Sequence, residues 1–121
     1  MPVEPPGLEV RTTTGWEAVP PIDDGFVVNL GDMLERMTDG RYRSTPHRVR
    51  HTGAGDRVSL AFFFDPSWDA EVVPLPLDGA PAPDRGPRWD GASPFAWEGT
   101  YGDYLVSKVA KVFPGLVDEL G

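Results

Sequence analysis

Arg41-Tyr-Arg-Ser-Thr-Pro-His47-Arg-Val49, followed by Arg57-Val-Ser59-Leu-Ala-Phe-Phe-Phe-Asp-Pro66, decides how this chain is read. An imidazole stands at the head of one predicted strand, after a proline that restricts the approach of the chain. Ten residues later a guanidinium opens the next strand, and a hydroxyl follows two positions on. Side chains alternate along a strand, so Arg57, Ser59, Ala61 and Phe63 share one face and Val58, Leu60, Phe62 and Phe64 the other. The second set is wholly apolar and must pack against something. The first begins with a charge, and an inward-facing arginine needs a partner. A ligand carboxylate suits it, gripped bidentately by the guanidinium with the serine adding a third hydrogen bond. If His47 faces the same interior, an imidazole and an oxoacid anchor line one cavity. Taken alone, a histidine before a strand reads as structural, and His51 reads as structural or solvent-exposed.

Working outward, Leu8-Glu-Val10-Arg alternates with period two and predicts a strand. Thr14-Gly15 predicts a turn, and Trp16-Glu-Ala-Val19 a strand pairing back as a hairpin. Phe26-Val-Val-Asn-Leu30 predicts a buried strand. Asp32 to Thr38 predicts a short helix, with Asp32 as its cap and Glu35 reaching back to the cap amide. Further strands are predicted over His47–His51, Arg57–Phe64 and Glu71–Leu75. Residues 78–99, rich in Pro, Gly and Asp, have no period and predict a loop or partly ordered linker. Tyr101, Tyr104, Leu105, Val109 and Val112 fall at helical spacing behind a Thr100 cap with Asp103 three residues on, and Pro114-Gly115 predicts the helix end.

Composition bounds the rest. A chain of 121 residues suits one small domain, and 14 Gly with 14 Pro favour short strands and turns over a helical bundle. With no cysteine, disulfides, thiolate metal sites and a cysteine nucleophile are excluded. The first residues carry no signal-peptide pattern, and no apolar run approaches the ~20 residues of a membrane helix. A cytoplasmic protein is expected, with no membrane partner. The net charge of −8 argues against nucleic acid. Within it, residues 36–57 hold six arginines against two aspartates, a basic island that suits a small anionic ligand or, more blandly, a set of solvated strand-edge arginines.

Gly7-Leu-Glu-Val, Trp16…Val19-Pro-Pro, Val27-Val-Asn-Leu-Gly-Asp-Met-Leu-Glu35, Asp39-Gly-Arg-Tyr-Arg-Ser-Thr-Pro-His-Arg-Val49 and Arg57-Val-Ser…Phe-Phe-Asp-Pro66 follow one another in order. As a set they resemble the C-terminal part of the iron(II)- and 2-oxoglutarate-dependent dioxygenases, in the isopenicillin N synthase-like branch. Thr100-Tyr-Gly-Asp-Tyr-Leu…Lys-Val-Phe113 is similar to that branch's closing helix. The resemblance implies an all-β fold with a C-terminal helix: an incomplete double-stranded β-helix, or jelly roll. It would divide into a lead-in (1–6), the partial jelly roll (7–77), the loop (78–99) and the C-terminal helix (100–121). It further implies Fe(II) held by His47, 2-oxoglutarate as co-substrate anchored by Arg57 and Ser59, and a small-molecule substrate hydroxylated or desaturated while 2-oxoglutarate loses CO₂.

The chain departs from that pattern at its start. The family's His-x-Asp pair precedes the segment matching Gly7-Leu-Glu-Val, and here the only carboxylate before Gly7 is Glu4. One imidazole is a poor iron site, and missing strands would leave ladder edges open to a second chain or a dimer. Three readings follow. The chain is the C-terminal part of an oxygenase whose other ligands lie elsewhere, and is inactive alone. Alternatively it is an inactive jelly-roll remnant that binds a carboxylate or a protein. A third, weaker reading is a different metal site borrowing Glu9, Glu17 or Asp32.

Overall fold

The computed structural model describes residues 7–120, so the expected lead-in at residues 1–6 lies outside them. Its first element is the hairpin that the period-two pattern predicts. β1 (Leu8–Thr12) and β2 (Gly15–Ala18) pair antiparallel, with Glu9 opposite Ala18 and Thr12 opposite Gly15. The reversal needs a backbone that L-residues avoid, and Gly15 supplies it at φ 130°. Hydroxyls of Thr12 and Thr14 both donate to Glu17 Oε1 at 2.8 Å, which lowers the Glu17 carboxyl pKa and fixes the turn from outside.

β3 (His47–Val49) pairs antiparallel on the other side of β1, giving the strand order β2-β1-β3. Two hydrogen bonds extend that ladder beyond its ends, from Arg11 N to Pro46 O at 2.9 Å and from Arg50 N to Gly7 O at 2.7 Å. A three-stranded antiparallel sheet with C-terminal helices is thus the architecture of the described residues, as expected of part of a jelly roll.

The predicted strands over residues 26–30, 57–64 and 71–75 do not form. The first two have strand-forming side chains but no neighbouring backbone to pair with among the described residues, and a strand without a ladder leaves its amides and carbonyls to water. The apolar stripe of the second was expected to pack on the C-terminal helix. It does not: Leu60 is 98% exposed and Phe64 94%, and Phe26 is nearly bare at 93%. The accessible surface reflects this, at 9697 Å², against about 6,400 Å² for a compact monomer of this mass.

What core exists lies around the helices. α1 (Asp32–Met37) starts as predicted but is capped differently: Gly31 is the cap residue, with no side-chain cap bond. Asp32 and Glu35 are drawn instead into ion pairs with the loop, and that attraction outweighs a cap bond. α2 (Tyr101–Val112) carries the predicted capping box in full, Thr100 Oγ1 accepting from Asp103 N and the Asp103 carboxylate accepting from Thr100 N at 2.8 Å. Its first free amides, Tyr101 N and Gly102 N, each donate at 2.8 Å to Ala70 O and Trp68 O. The Trp68 indole lies directly over Gly102, where no larger residue would leave it room. Pro114 ends α2 as expected, yet α3 (Pro114–Leu120) begins at once, because proline suits a first helical turn.

The proline-rich segment is a loop, as expected, and it is held in place. Three arginines of the basic island hold it by its carbonyls: Arg36 on Pro94, Arg41 on Leu77 and Asp78, Arg43 on Arg85 and Gly86. These side chains donate hydrogen bonds to the loop backbone. The capping box makes one prediction. Thr100→Ala should cost about 1 kcal/mol of stability by removing the cap acceptor, read as a lower denaturant midpoint with loss of helical circular dichroism; no change would mean α2 is held by its packing alone.

Candidate functional site

His47 is presented by β3 in register with Val10, and shares a sheet face with Leu8, Val10 and Val49. The ring is exposed, with Nδ1 3.1 Å from Thr45 O. A carbonyl can only accept, so Nδ1 carries a proton and Nε2 is the nitrogen left for a further partner. Thr45, two residues back, therefore sets the tautomer. His51 is exposed too, with Nε2 2.7 Å from Gly55 O.

Arg57 is half-buried against the start of β1, its Nε 2.5 Å from where a Cβ on Gly7 would lie. Strand alternation puts position 7 with Glu9, on the face opposite Leu8, Val10 and His47. Ser59 is exposed. The structure therefore does not bring His47 and Arg57 into a shared hollow. The cause is the missing ladder between β3 and residues 57–64, since without it nothing fixes which way that segment's side chains turn.

The dense polar constellation of the described residues lies elsewhere, between α1, the loop and α2. Arg88 donates to Glu35 Oε2 at 2.6 Å, to Asp90 Oδ1 at 3.0 Å and to Asp32 Oδ1 at 3.2 Å, with its side chain only 9% exposed. Asp32 also accepts from the Tyr104 hydroxyl, and Lys108 Nζ sits 2.9 Å away. Burial opposes the charge on Asp32, but the bonds from Tyr104 and Lys108, the Lys108 charge and the Arg88 bond outweigh it and hold its pKa well below the usual carboxylate range. Tyr104 is pushed the other way, by burial and by the Asp32 carboxylate it serves. Arg88 is held charged, first by its bond to Asp90 and then, against burial, by Asp32 and Glu35. Beside this group Arg36 stacks on Trp97, 4.3 Å from the ring centroid, and donates to Val72 O. Sequence reasoning missed Arg88 altogether. It stands in a segment without period, 53 residues from Glu35 and 56 from Asp32, and no local pattern points to it.

A depression of about 360 Å³ opens next to this cluster, lined by Glu35, Arg43, Arg85, Arg88 and Phe95 among others. Of its charged groups, Glu35 and Arg88 pair with each other and Arg43 and Arg85 bond backbone carbonyls. Neither His47, Arg57 nor Ser59 lines it.

Iron can be tested against the residues present. Among the described residues no group of three His, Asp or Glu side chains could hold a metal ion. The carboxylates considered for a different site are engaged apart from His47: Glu9 with Arg48 at 2.7 Å and Arg50 at 3.6 Å, Glu17 with the turn threonines, and Asp32 with Arg88 and Lys108. The described residues offer one imidazole with a free Nε2 and nothing converging on it. They do not fit an iron centre by themselves.

The chain matches the 2OG-Fe(II) oxygenase superfamily over residues 2–66, just over half its length, and it belongs to that family. The family implies Fe(II) and 2-oxoglutarate as its metal and co-substrate. Among its relatives, a probable iron/ascorbate oxidoreductase of Dictyostelium discoideum is 45% identical over 115 residues, which is 91% of this chain and 31% of that protein. A 1-aminocyclopropane-1-carboxylate oxidase of Dictyostelium mucoroides is 39% identical over 92% of this chain and 32% of its own length. A 2-oxoglutarate-dependent dioxygenase of Monascus ruber is 46% identical over 69% of this chain and 24% of its own. The chain spans about a third or less of the relatives it matches. Among the described residues no helix is long and apolar enough to cross a membrane.

The Arg88 cluster gives a pH prediction with a definite sign. Asp32 has a folded pKa below its unfolded value, so its contribution is complete above about pH 4 and is lost as pH falls through the depressed folded value. Tyr104, raised, contributes below about pH 10 and loses its share above it. Denaturant midpoints should therefore fall below about pH 4 in the native chain and respond less to acid in Asp32→Asn. Arg88→Met should cost about 3–5 kcal/mol at neutral pH, because it leaves the buried Glu35 without its countercharge and Asp32 with Lys108 as its remaining ion-pair partner. A native-like midpoint in Arg88→Met would remove that role.

Proposed function

We propose that this chain is the C-terminal part of an iron(II)- and 2-oxoglutarate-dependent oxygenase, its sheet being one section of a double-stranded β-helix. The His-x-Asp half of the metal site lies on polypeptide outside it. In the complete fold His47 is an iron ligand through Nε2, and Arg57 with Ser59 binds the far carboxylate of 2-oxoglutarate. Three ligands on one face of iron leave positions for the oxoacid, and an anchored carboxylate fixes its orientation. The overall reaction couples decarboxylation of 2-oxoglutarate to hydroxylation or desaturation of a small molecule. By itself the 121-residue chain is inactive.

One observation carries this reading: the family match runs from residue 2 to Pro66 and so takes in His47, Arg57 and Ser59 together, in relatives about three times as long. The bond between Nδ1 and Thr45 O supports it, since it leaves Nε2 as the ring nitrogen available to a metal. The uncovered strand segments support it as well, because pairing with further strands would cover them and turn Arg57 toward the His47 face. The lack of a three-ligand group among the described residues favours a second reading, an inactive jelly-roll remnant that binds a carboxylate or a protein.

The two separate in a chimaera in which this chain replaces the matching segment of the Monascus ruber dioxygenase. The chimaera should form succinate from 2-oxoglutarate, and the isolated chain none. His47→Ala should abolish turnover, and Arg57→Ala should weaken 2-oxoglutarate binding by about 1.5–3 kcal/mol, the worth of a charged hydrogen-bonded pair. A folded but silent chimaera would favour the remnant, unchanged affinity in Arg57→Ala would remove the anchor, and turnover by the isolated chain would refute its predicted inactivity.

A further inference from the structure

Among the described residues the two buried polar side chains, Glu35 and Thr38, face the same stretch of backbone. After α1 the chain reverses through Asp39 and Gly40, both at positive φ, and runs back along the helix toward β3. On the way it meets both side chains. Thr38 Oγ1 donates to Leu34 O at 2.7 Å and accepts from Tyr42 N at 3.2 Å. Glu35 Oε2 accepts from Ser44 N at 2.9 Å. Glu35 thus reaches forward to the approach of His47, where its spacing pointed it back to the helix cap.

The geometry points to Glu35 and Thr38 as positioning residues for His47, with Arg88 coupling the loop 78–99 to that task. This deepens the function proposed above, and rests on it only for why the placement of His47 matters. Residues 44–47 are pinned on two sides. Ser44 N is held by α1 through Glu35, and Pro46 O by β1, accepting from Arg11 N at 2.9 Å. Thr45 lies between the two pins, restricted by the proline after it. Its carbonyl is the one that meets His47 Nδ1, at 3.1 Å. Once Ser44 is freed, that carbonyl turns about a single fixed point, and the ring loses its partner.

Glu35 does this only in company with Arg88. A carboxylate so buried needs a countercharge, and Arg88 supplies it at 2.6 Å on the same Oε2 that Ser44 uses. Without that charge the carboxylate gains more by turning to water than by holding one amide. The Arg88 side chain bonds Glu35, Asp32 and Asp90, none of them on β3, so it acts on His47 through Glu35 and Ser44.

Amide exchange and ring ¹⁵N shifts of the full 121-residue chain test this without any metal. Glu35→Ala should speed exchange at Ser44 about tenfold or more beyond any change at the α2 amides. Glu35→Gln, which keeps an oxygen for Ser44 N, should speed it less. Thr38→Val should release Tyr42 in the same way, and Thr38→Ser, which keeps the hydroxyl, should not. Arg88→Lys keeps a charge but cannot reach Glu35, Asp32 and Asp90 together, and should also speed exchange at Ser44. At a pH where the imidazoles are neutral, Glu35→Ala and Arg88→Lys should move the His47 ring from Nδ1–H toward a mixture of tautomers. His51, whose Nε2 lies 2.7 Å from Gly55 O, is the internal control and should not move. Ser44 exchange rising no more than that of α2, or Thr38→Ser behaving as Thr38→Val, would overturn the positioning. So would a His47 ring unmoved when Ser44 opens, or a His51 ring that moves with it. Failure of the oxygenase reading shows elsewhere, in a chimaera that turns over without His47, and leaves these outcomes as they stand.

Discussion

A single guanidinium holds the helical side of this protein together. Arg88 stands among Asp32, Glu35 and Asp90, and each of those carboxylates would be costly to bury without it. Because Asp32 also takes the Tyr104 hydroxyl and the Lys108 ammonium, the same group links the loop, α1 and α2. Glu35 at 4% exposure and Thr38 at 6% are as buried as the best apolar residues, Val72 at 6% and Tyr101 at 7%. A core this polar depends on charge compensation more than on oil-like burial.

On the sheet side the forces are local. The hairpin is set by a two-residue reversal, by Gly15 and by the Glu17 carboxylate gathering threonine hydroxyls. Arg48 bridges the sheet face, paired with Glu9 and stacked 4.2 Å over Trp16. Beyond these contacts the sheet has little to pack on. Phe26, Leu60 and Phe64 are the residues that a larger fold would cover, and membership of a family whose members run to about three times this length is in keeping with that.

What could be read from residues alone divides along the same line. β1, β2 and the capping box of α2 were legible because each is specified within a few residues. The family was legible through the ordered motifs around His47, Arg57 and Ser59, and the family match spans those three positions. The segments at 26–30 and 57–64 were misread as paired strands because alternation reports a preference, whereas a strand needs a neighbour. Asp32 was misread as a cap because its real partners are 56 and 76 residues away. Three arginines of the basic island, Arg36, Arg41 and Arg43, turn to loop carbonyls, which are not visible as acceptors in a sequence.

The clamps on the proline-rich segment have a mechanical consequence. Its two ends are tied independently, by Leu75 N to Met37 O at 2.8 Å on one side and by Arg88 on the other, with Arg41 and Arg43 between them. Scission of the backbone around residues 79–84 would cut the covalent thread without undoing these attachments. The two fragments would travel as one particle under native conditions and part only in denaturant, so continuity of the polypeptide there is dispensable for holding the C-terminal helix in place.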